Sequence, residues 1–423
     1  MEKKMRGLLH GAVLALAMFV TANAFAAETV VKILDHEPTT REERDFLLRV
    51  AKNFEAANPT IKVEFDFLDD TSFKAKLPTL LQSPERPDAF FTWTGGVFYE
   101  QAETGILRDI TDEMDAKTKS RYATIGLDGL SYKGRLYGVP MYATNIPIWY
   151  NRELLDKAKV DPASIKTWDD FLAACTKLKN AGITPIVIGG KDKWPIAFFF
   201  GPLALRILGM DGINAANRGE NGGFDNAEFI KVGREFKRLV DIQPFQPGYM
   251  DTGFHKSVGL FGDGIGAFLP IAHYVIDMNA KNSTSGKGIG DKLDFIPFPA
   301  VTGGKGDPGD TFGGINGWLI TKNAKPETLK FLEFLTNEEN QLESGRLNLW
   351  LPIVKGTQSG LQDPRVRRVA ELLEKAPHHQ LYLDQALGAI VGTAVNDVAA
   401  ELSTGEITPE EAAANVEEAR QIR

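Results

Sequence analysis

Residues 30–67 read VVKILDHEPTTREERDFLLRVAKNFEAANPTIKVEFDF, and this stretch decides the fold class. Val30–Leu34 is a short apolar run with the length of a buried strand. Phe46, Leu47, Val50 and Phe54 then recur at helical spacing until Asn58-Pro59 stops the helix. Ile61, Val63, Phe65 and Phe67 alternate with Lys62, Glu64 and Asp66, the period of a second strand. A third strand is expected at Ala89–Phe91, closed by the turn at residues 94–96. Strand, helix and strand in this order predict a largely parallel sheet covered by helices.

Outward from this unit the same alternation continues. Thr167 and Asp170 have capping-box spacing ahead of an apolar stripe that includes Leu172, Cys175 and Leu178. Residues 186–188, 267–269 and 318–320 read as strands, and Phe229, Val232, Phe236 and Leu239 mark another amphipathic helix. The last fifth is helical, and Thr408-Pro409-Glu410-Glu411 carries the start signal of the final helix. The chain has 423 residues, well past the ~250–300 at which one hydrophobic core stops growing, so two domains are expected.

Lys3, Lys4 and Arg6 precede an apolar run, Leu8–Val20, and the small residues Ala22, Ala24, Ala26 and Ala27 follow. This is the three-part layout of a secretory signal peptide, with cleavage expected near Ala26. The run is shorter than the ~20 residues a membrane-spanning helix needs, and no later stretch reads as a span, so no membrane insertion is expected. Cys175 is the one cysteine. It leaves no internal disulfide and no cysteine at the cleavage point to carry a lipid, and its helical neighbours predict burial. A net charge of −8 without a basic cluster argues against nucleic acid and anionic membranes as partners.

Signatures of catalysis are sparse. No histidine pair has the spacing of a zinc protease, no G-x-S-x-G elbow occurs, and Gly189-Gly190-Lys191 is followed by Asp192 where a phosphate loop needs Ser or Thr. No metal and no cofactor are expected. Paired carboxylates such as Asp69-Asp70 leave a secreted glycoside hydrolase open as the alternative of another class. Large aromatics instead sit beside turns: Trp93 before Gly95-Gly96, Trp194 in Lys-Asp-Lys-Trp-Pro, Trp318 after Gly313-Gly314-Ile315-Asn316-Gly317, and Trp350 before Leu351-Pro352. Such rings suit sugar recognition, because the apolar face of a pyranose stacks on them while its hydroxyls find polar partners. Taken singly, each could equally be a core residue.

Several segments occur in an order that resembles the family 1 extracellular solute-binding proteins of bacterial ABC importers, the maltose-binding-protein-like group. They are residues 54–64 (FEAANPTIKVE), 86–96 (RPDAFFTWTGG), 102–111 (AETGILRDIT), 132–140 (YKGRLYGVP), 149–155 (WYNRELL), 167–171 (TWDDF) and 402–412 (LSTGEITPEEA). Residues 298–308 and 313–318 are most similar to binders of raffinose-type or related oligosaccharides. The resemblance implies an α/β, two-lobed periplasmic-binding-protein fold of class II type, each lobe a mostly parallel sheet flanked by helices. One lobe would hold residues 28–143 plus 300–343 and the other 146–297 plus 346–423, with hinges near 143–146, 297–300 and 343–346.

The resemblance also implies the function: a periplasmic, monomeric carrier that binds a mono- or oligosaccharide between its lobes and delivers it to the membrane permease of an ABC transporter. A non-sugar solute is the alternative within the class. Trp93 falls where the family has a stacking tryptophan, and Trp318 where its glycine turn faces the cleft. Tyr274 stands where many relatives carry Trp, which leaves the platform of the second lobe to Tyr274, His273 or Trp194. His36 and Glu37 match cleft-facing positions, and Asn145 at the hinge and Asp384 near the final helices complete the candidates, with Trp350.

Overall fold

The computed structural model describes residues 28–423; the predicted signal peptide lies outside the described residues. The opening unit folds as its pattern predicts: β1 (Thr29–His36), α1 (Arg41–Ala57) and β2 (Ile61–Leu68). Thr40 caps α1 by accepting from Glu43 N, and the Glu43 carboxylate reaches back to Thr39 N at 2.9 Å. Phe46, Leu47, Val50 and Phe54 form the buried stripe. Asp69 then caps α2 (Asp70–Gln82), which leads into β3 (Ala89–Trp93) and α3 (Gly96–Glu103). β1 pairs in parallel with both β2 and β3. The loops that follow these three strands therefore gather along one edge of the sheet, where α/β folds usually bind ligands.

The strands added beyond β3 alternate in direction. β4 (Gly138–Asn145) leaves it directly for β5 (Ile148–Asn151), which starts a second sheet with β6 (Thr184–Ile186), β7 (Gly266–Pro270) and β8 (Leu293–Ile296). β9 (Thr311–Ile320) returns and inserts between β3 and β4, antiparallel to both. β10 (Leu351–Pro352) lies antiparallel outside β4, and β11 (His379–Leu381) pairs in parallel with the start of β9. In the second sheet, ordered β8-β5-β7-β6, only β6 and β7 are parallel. The expectation of mostly parallel sheets is thus corrected to mixed ones. A strand entered through a helical crossover starts at the far edge of its sheet, whereas one that arrives from the other sheet starts at the near edge and must run opposite.

Two hydrophobic clusters fill the molecule. One takes buried residues between Val31 and Ala143 and between Ile315 and Val354; the other takes those between Ile146 and Phe312 together with Leu351 and Leu361–Val416. In the second cluster Trp168 opens a helix with the expected Thr167–Asp170 capping box and stacks on Phe171 and Phe298 at 5.3 and 5.6 Å. Cys175 is buried there, and burial pushes its thiol pKa well up, toward an inert thiol. One helix that the sequence reading passed over, α4 (Trp194–Asn217), is long and apolar enough to cross a membrane. Its residues from Pro195 to Leu208 are all buried in this cluster, and the helix breaks at Gly209, where φ is 71°. Its apolarity is that of a core helix. After it come α5 (Phe254–Gly262), α6 (Val275–Lys281), α7 (Leu383–Ala386) and α8 (Ala389–Thr404).

Candidate functional site

A cavity of about 200 Å³ lies between the two clusters. Its first wall is made at the near edge of the large sheet. His36, Glu37 and Thr39 come from the loop after β1, Asp69 and Asp70 from the start of α2, Trp93 from the end of β3, Tyr142 and Thr144 from β4, and Asn316 from β9. The opposite wall carries Trp194 and Phe198 of α4, Phe254 and His255 of α5, Tyr274 just before α6, and Tyr382, Asp384 and Gln385 at α7.

Aromatic packing holds each wall in place. Trp93 stands edge-on to Phe91 at 4.8 Å, to Phe73 at 5.6 Å and to His36 at 5.7 Å. His36 also stacks on Phe91 at 5.1 Å. Burial among these rings lowers the His36 pKa and favours the neutral imidazole. Across the cavity, Trp194 contacts Phe254 at 4.8 Å and Phe198 at 5.1 Å, and Phe198 stacks on Tyr382 at 5.3 Å.

Polar groups fill the gaps between rings. The Thr144 hydroxyl accepts from Gly314 N at 2.8 Å and shares a hydrogen bond of 2.7 Å with the Tyr382 hydroxyl. Burial raises the pKa values of Tyr142, Tyr274 and Tyr382, so all three remain neutral donors and acceptors. The Lys74 ammonium lies 3.2 Å from Asp70 and 3.8 Å from Asp384 on the opposite wall, 4.9 Å from the centre of the Trp93 ring. Glu37 is held by Arg44 at 2.6 Å. Asn316 is buried, and its Oδ1 has no hydrogen-bond partner. Among the described residues no group of three or more His, Cys, Asp or Glu is arranged to hold a metal ion.

Six of the ten residues singled out in the sequence line this cavity: His36, Glu37, Trp93, Trp194, Tyr274 and Asp384. Four do not. Trp318 is fully buried, with its indole N–H donated to Asp35 at 3.1 Å. On β9 it pairs with Phe91, whereas Asn316 pairs with Trp93. Two residues further along a strand is ~7 Å deeper in the sheet, which takes the ring behind the wall. Trp350 is also buried; it donates to Glu43 at 2.8 Å and stacks at 5.7 Å behind Tyr142. His273 is fully buried, its Nε2 3.3 Å from the Leu349 carbonyl, and burial pulls its pKa down to about 4. Asn145 lines a separate cavity of about 100 Å³ at the crossing between sheets. There the buried Arg206 guanidinium donates to the carbonyls of Phe298, Asp307, Pro308 and Asp310, each at 3.1 Å.

The sequence reading passed over Lys74, Tyr142, Thr144, His255, Asn316 and Tyr382. Tyr142 and Thr144 sit two apart on the strand that leaves the sheet, and Lys74 follows Asp70 by one helical turn. Those spacings were the available signals.

A second cavity, of about 590 Å³, adjoins the first and shares Asp70, Lys74, Trp93, Trp194, Asp384 and Gln385 with it. Beyond that waist it is walled by residues of α2 and α3 on one side and of α8 on the other, including Gln101 and Asn396.

Comparison with known proteins agrees with this architecture. A relative in Pyrococcus horikoshii, described as an uncharacterized ABC transporter extracellular-binding protein, is 26% identical over 381 residues, 88% of this chain and 83% of the relative. The melibiose/raffinose/stachyose-binding protein MelE of Bacillus subtilis is 23% identical over 411 residues, 90% of this chain and 88% of its own. A solved structure from work on xylan utilization by the thermophilic bacterium Caldanaerobius polysaccharolyticus superposes with a TM-score of 0.85 at 22% identity, over 92% of this chain and 99% of that one. This is a likeness of fold, and that fold is the two-lobed one of solute-binding proteins. The model of the bacterial extracellular solute-binding proteins matches residues 38–342, which hold most of the first wall and Trp194, Phe198, Phe254, His255 and Tyr274 of the opposite one, while Tyr382, Asp384 and Gln385 lie beyond it. The chain belongs to that family.

Proposed function

We propose that this protein is the substrate-binding component of an ABC importer, exported to the periplasm, and that it captures a carbohydrate in the cavity between its walls. The observation that carries this reading is the pairing of Trp93 on one wall with Trp194 on the other, around hydroxyl, amide and carboxylate groups contributed by both. A pyranose has two apolar faces and a polar rim, and such a cavity complements it. The names of the relatives agree: one is called a binder of melibiose, raffinose and stachyose.

Each hydrophobic cluster is then the core of one lobe. On this reading the chain passes between the lobes near Ala143–Ile146, again between Phe312 and Ile315, and last between Val354 and Leu361, a division that the separation of the two clusters supports. A ligand that touches both walls favours the closed arrangement by its differential contacts, and closure is the state offered to the permease. The bound sugar is handed on uncleaved, without metal or cofactor, by a protein acting as a monomer.

Isothermal titration calorimetry with a panel of mono- and oligosaccharides tests the reading. At least one should bind with saturating heat and emerge intact on chromatography. Heat from none, or release of shorter fragments, would overturn the proposal.

A further inference from the structure

Residues 298–310 lie between β8 of the second sheet and β9, which enters the first. They include Gly303, Gly304, Gly306 and Gly309, a composition that ordinarily makes a loose surface connection. Here they are strapped to α4. That helix breaks at Gly209, and two carbonyls just before the break accept from strap amides: Ile207 from Lys305 and Arg206 from Gly306, both at 3.1 Å. The last carbonyls of a helix have no partner within it, so a neighbouring segment is free to supply one. Gly304 and Gly306 let the strap lie this close, since a Cβ would fall 2.2 Å from the Arg206 carbonyl oxygen and 2.1 Å from that of Leu205.

The Arg206 side chain closes the clamp. It is 3% exposed, and its guanidinium donates to the carbonyls of Phe298, Asp307, Pro308 and Asp310 rather than to carboxylates. Burial lowers its pKa to about 10, so the cation persists at neutral pH. Hydrogen bonds from a charged donor are the stronger kind, and a planar fork reaches acceptors that a single ammonium cannot. Phe298 and Asp310 stand at the two ends of the strap, so one side chain pins its whole length.

Beyond the strap, β9 runs beside the end of β4, with Gly313 opposite Asn145 and Gly314 opposite Thr144. β4 leaves this pair for the second sheet where β9 arrives from it. Asn316 of the cavity wall follows Gly314 by one strand period. We infer, resting on the two-lobe division proposed above, that Arg206 is a positioning residue for lobe closure. It anchors β9 on the second-lobe side, so that the lobes turn by bending the strand pair at Gly313 and Gly314 instead of slackening the glycine-rich strap. The closed population, and with it the affinity for any ligand, then depends on a residue of the separate cavity at the crossing.

Arg206→Lys keeps the charge and loses the fork, whereas Gly306→Ala lifts the strap and leaves Arg206 in place. Thermal melts check that each variant folds. Without ligand, amides of residues 301–310 should exchange with solvent deuterium at least ~10-fold faster in both variants, while those of the buried residues 267–269 keep their rates. The radius of gyration of the ligand-free protein should rise in both. Calorimetry should show affinities for melibiose and raffinose falling by one common factor, about fivefold, because only the closure-competent fraction changes. Unchanged exchange in the strap would refute the anchor. Faster exchange with the same radius and the same affinity would show a local brace that has no part in closure, and unequal losses for the two sugars would show contact with the ligand; either result overturns the inference. Heat from neither sugar would count against the carbohydrate reading alone, and exchange with scattering would still decide the role of Arg206.

Discussion

The Lys74 ammonium lies over the Trp93 indole, 4.9 Å from the ring centre. The same group bridges to Asp384 on the other wall at 3.8 Å. A sugar that stacks on this face of Trp93 must move the cation, so the ion pair and the ligand compete for one place.

Lys74→Met should therefore strengthen binding of a neutral sugar about twofold to fivefold. A cation–π contact at a partly exposed site is worth ~0.5–1 kcal/mol. Titrations at low and high salt provide the check, because screening weakens the competing cation in the unaltered protein and has nothing to act on in the variant. Weaker binding by the variant at both salt concentrations would show that Lys74 serves the ligand directly.

Trp93→Ala and Trp318→Ala should separate binding from stability. Trp93 faces the cavity, and its loss should weaken sugar affinity by at least ~1 kcal/mol, about fivefold. Trp318 is fully buried and bonded to Asp35, so its truncation should cost ~3–5 kcal/mol of folding free energy. Urea unfolding and calorimetry on the two variants should give opposite rankings.

His273 and Asp35 should bend the stability profile in opposite directions. The folded pKa of His273 is about 4, below the ordinary 6.5, so its contribution is complete above pH 6.5 and is lost as the pH falls toward 4. At ~1.4 kcal/mol per unit this amounts to up to ~3 kcal/mol. Burial raises the Asp35 carboxyl from 3.8 to about 7, so its contribution is present below pH 3.8 and is lost as the pH rises through 7. The difference in unfolding free energy between the unaltered protein and His273→Gln should grow from pH 4 to 6.5 and then level off. With Asp35→Asn it should shrink from pH 4 to 7.

Gly96→Ala should hold the walls apart. A Cβ there would lie 2.5 Å from the Gly388 nitrogen and 2.7 Å from the Ala386 carbonyl, backbone atoms of the opposite wall. The variant should fold normally, since this contact lies outside both cores, yet bind sugar at least ~10-fold more weakly. Small-angle scattering of the ligand-saturated variant should give a larger radius of gyration than that of the unaltered protein.

Local chemistry was legible in the sequence. Capping residues, the βαβ unit and the strand-end position of Trp93 each depend on neighbours within a few residues, and each stands as read. Depth was not legible. Period-two alternation assigns Asn316 and Trp318 to one face of a strand, but only the pairing of β9 with β3 says which of them reaches the rim. His273 and Trp350 drew attention because their side chains suit binding, yet their burial follows from packing against Leu349 and Tyr142, which no local pattern encodes. The polarity of β9 was hidden for the same reason, since direction depends on which sheet the chain has just left.

The bond between Asp35 and Trp318 joins residues 283 positions apart. During synthesis the first strand must therefore wait for most of the chain before its sheet can be completed. Such long-range closure makes assembly slow. For the export proposed above, this delay keeps the chain pliable until most of it has been made.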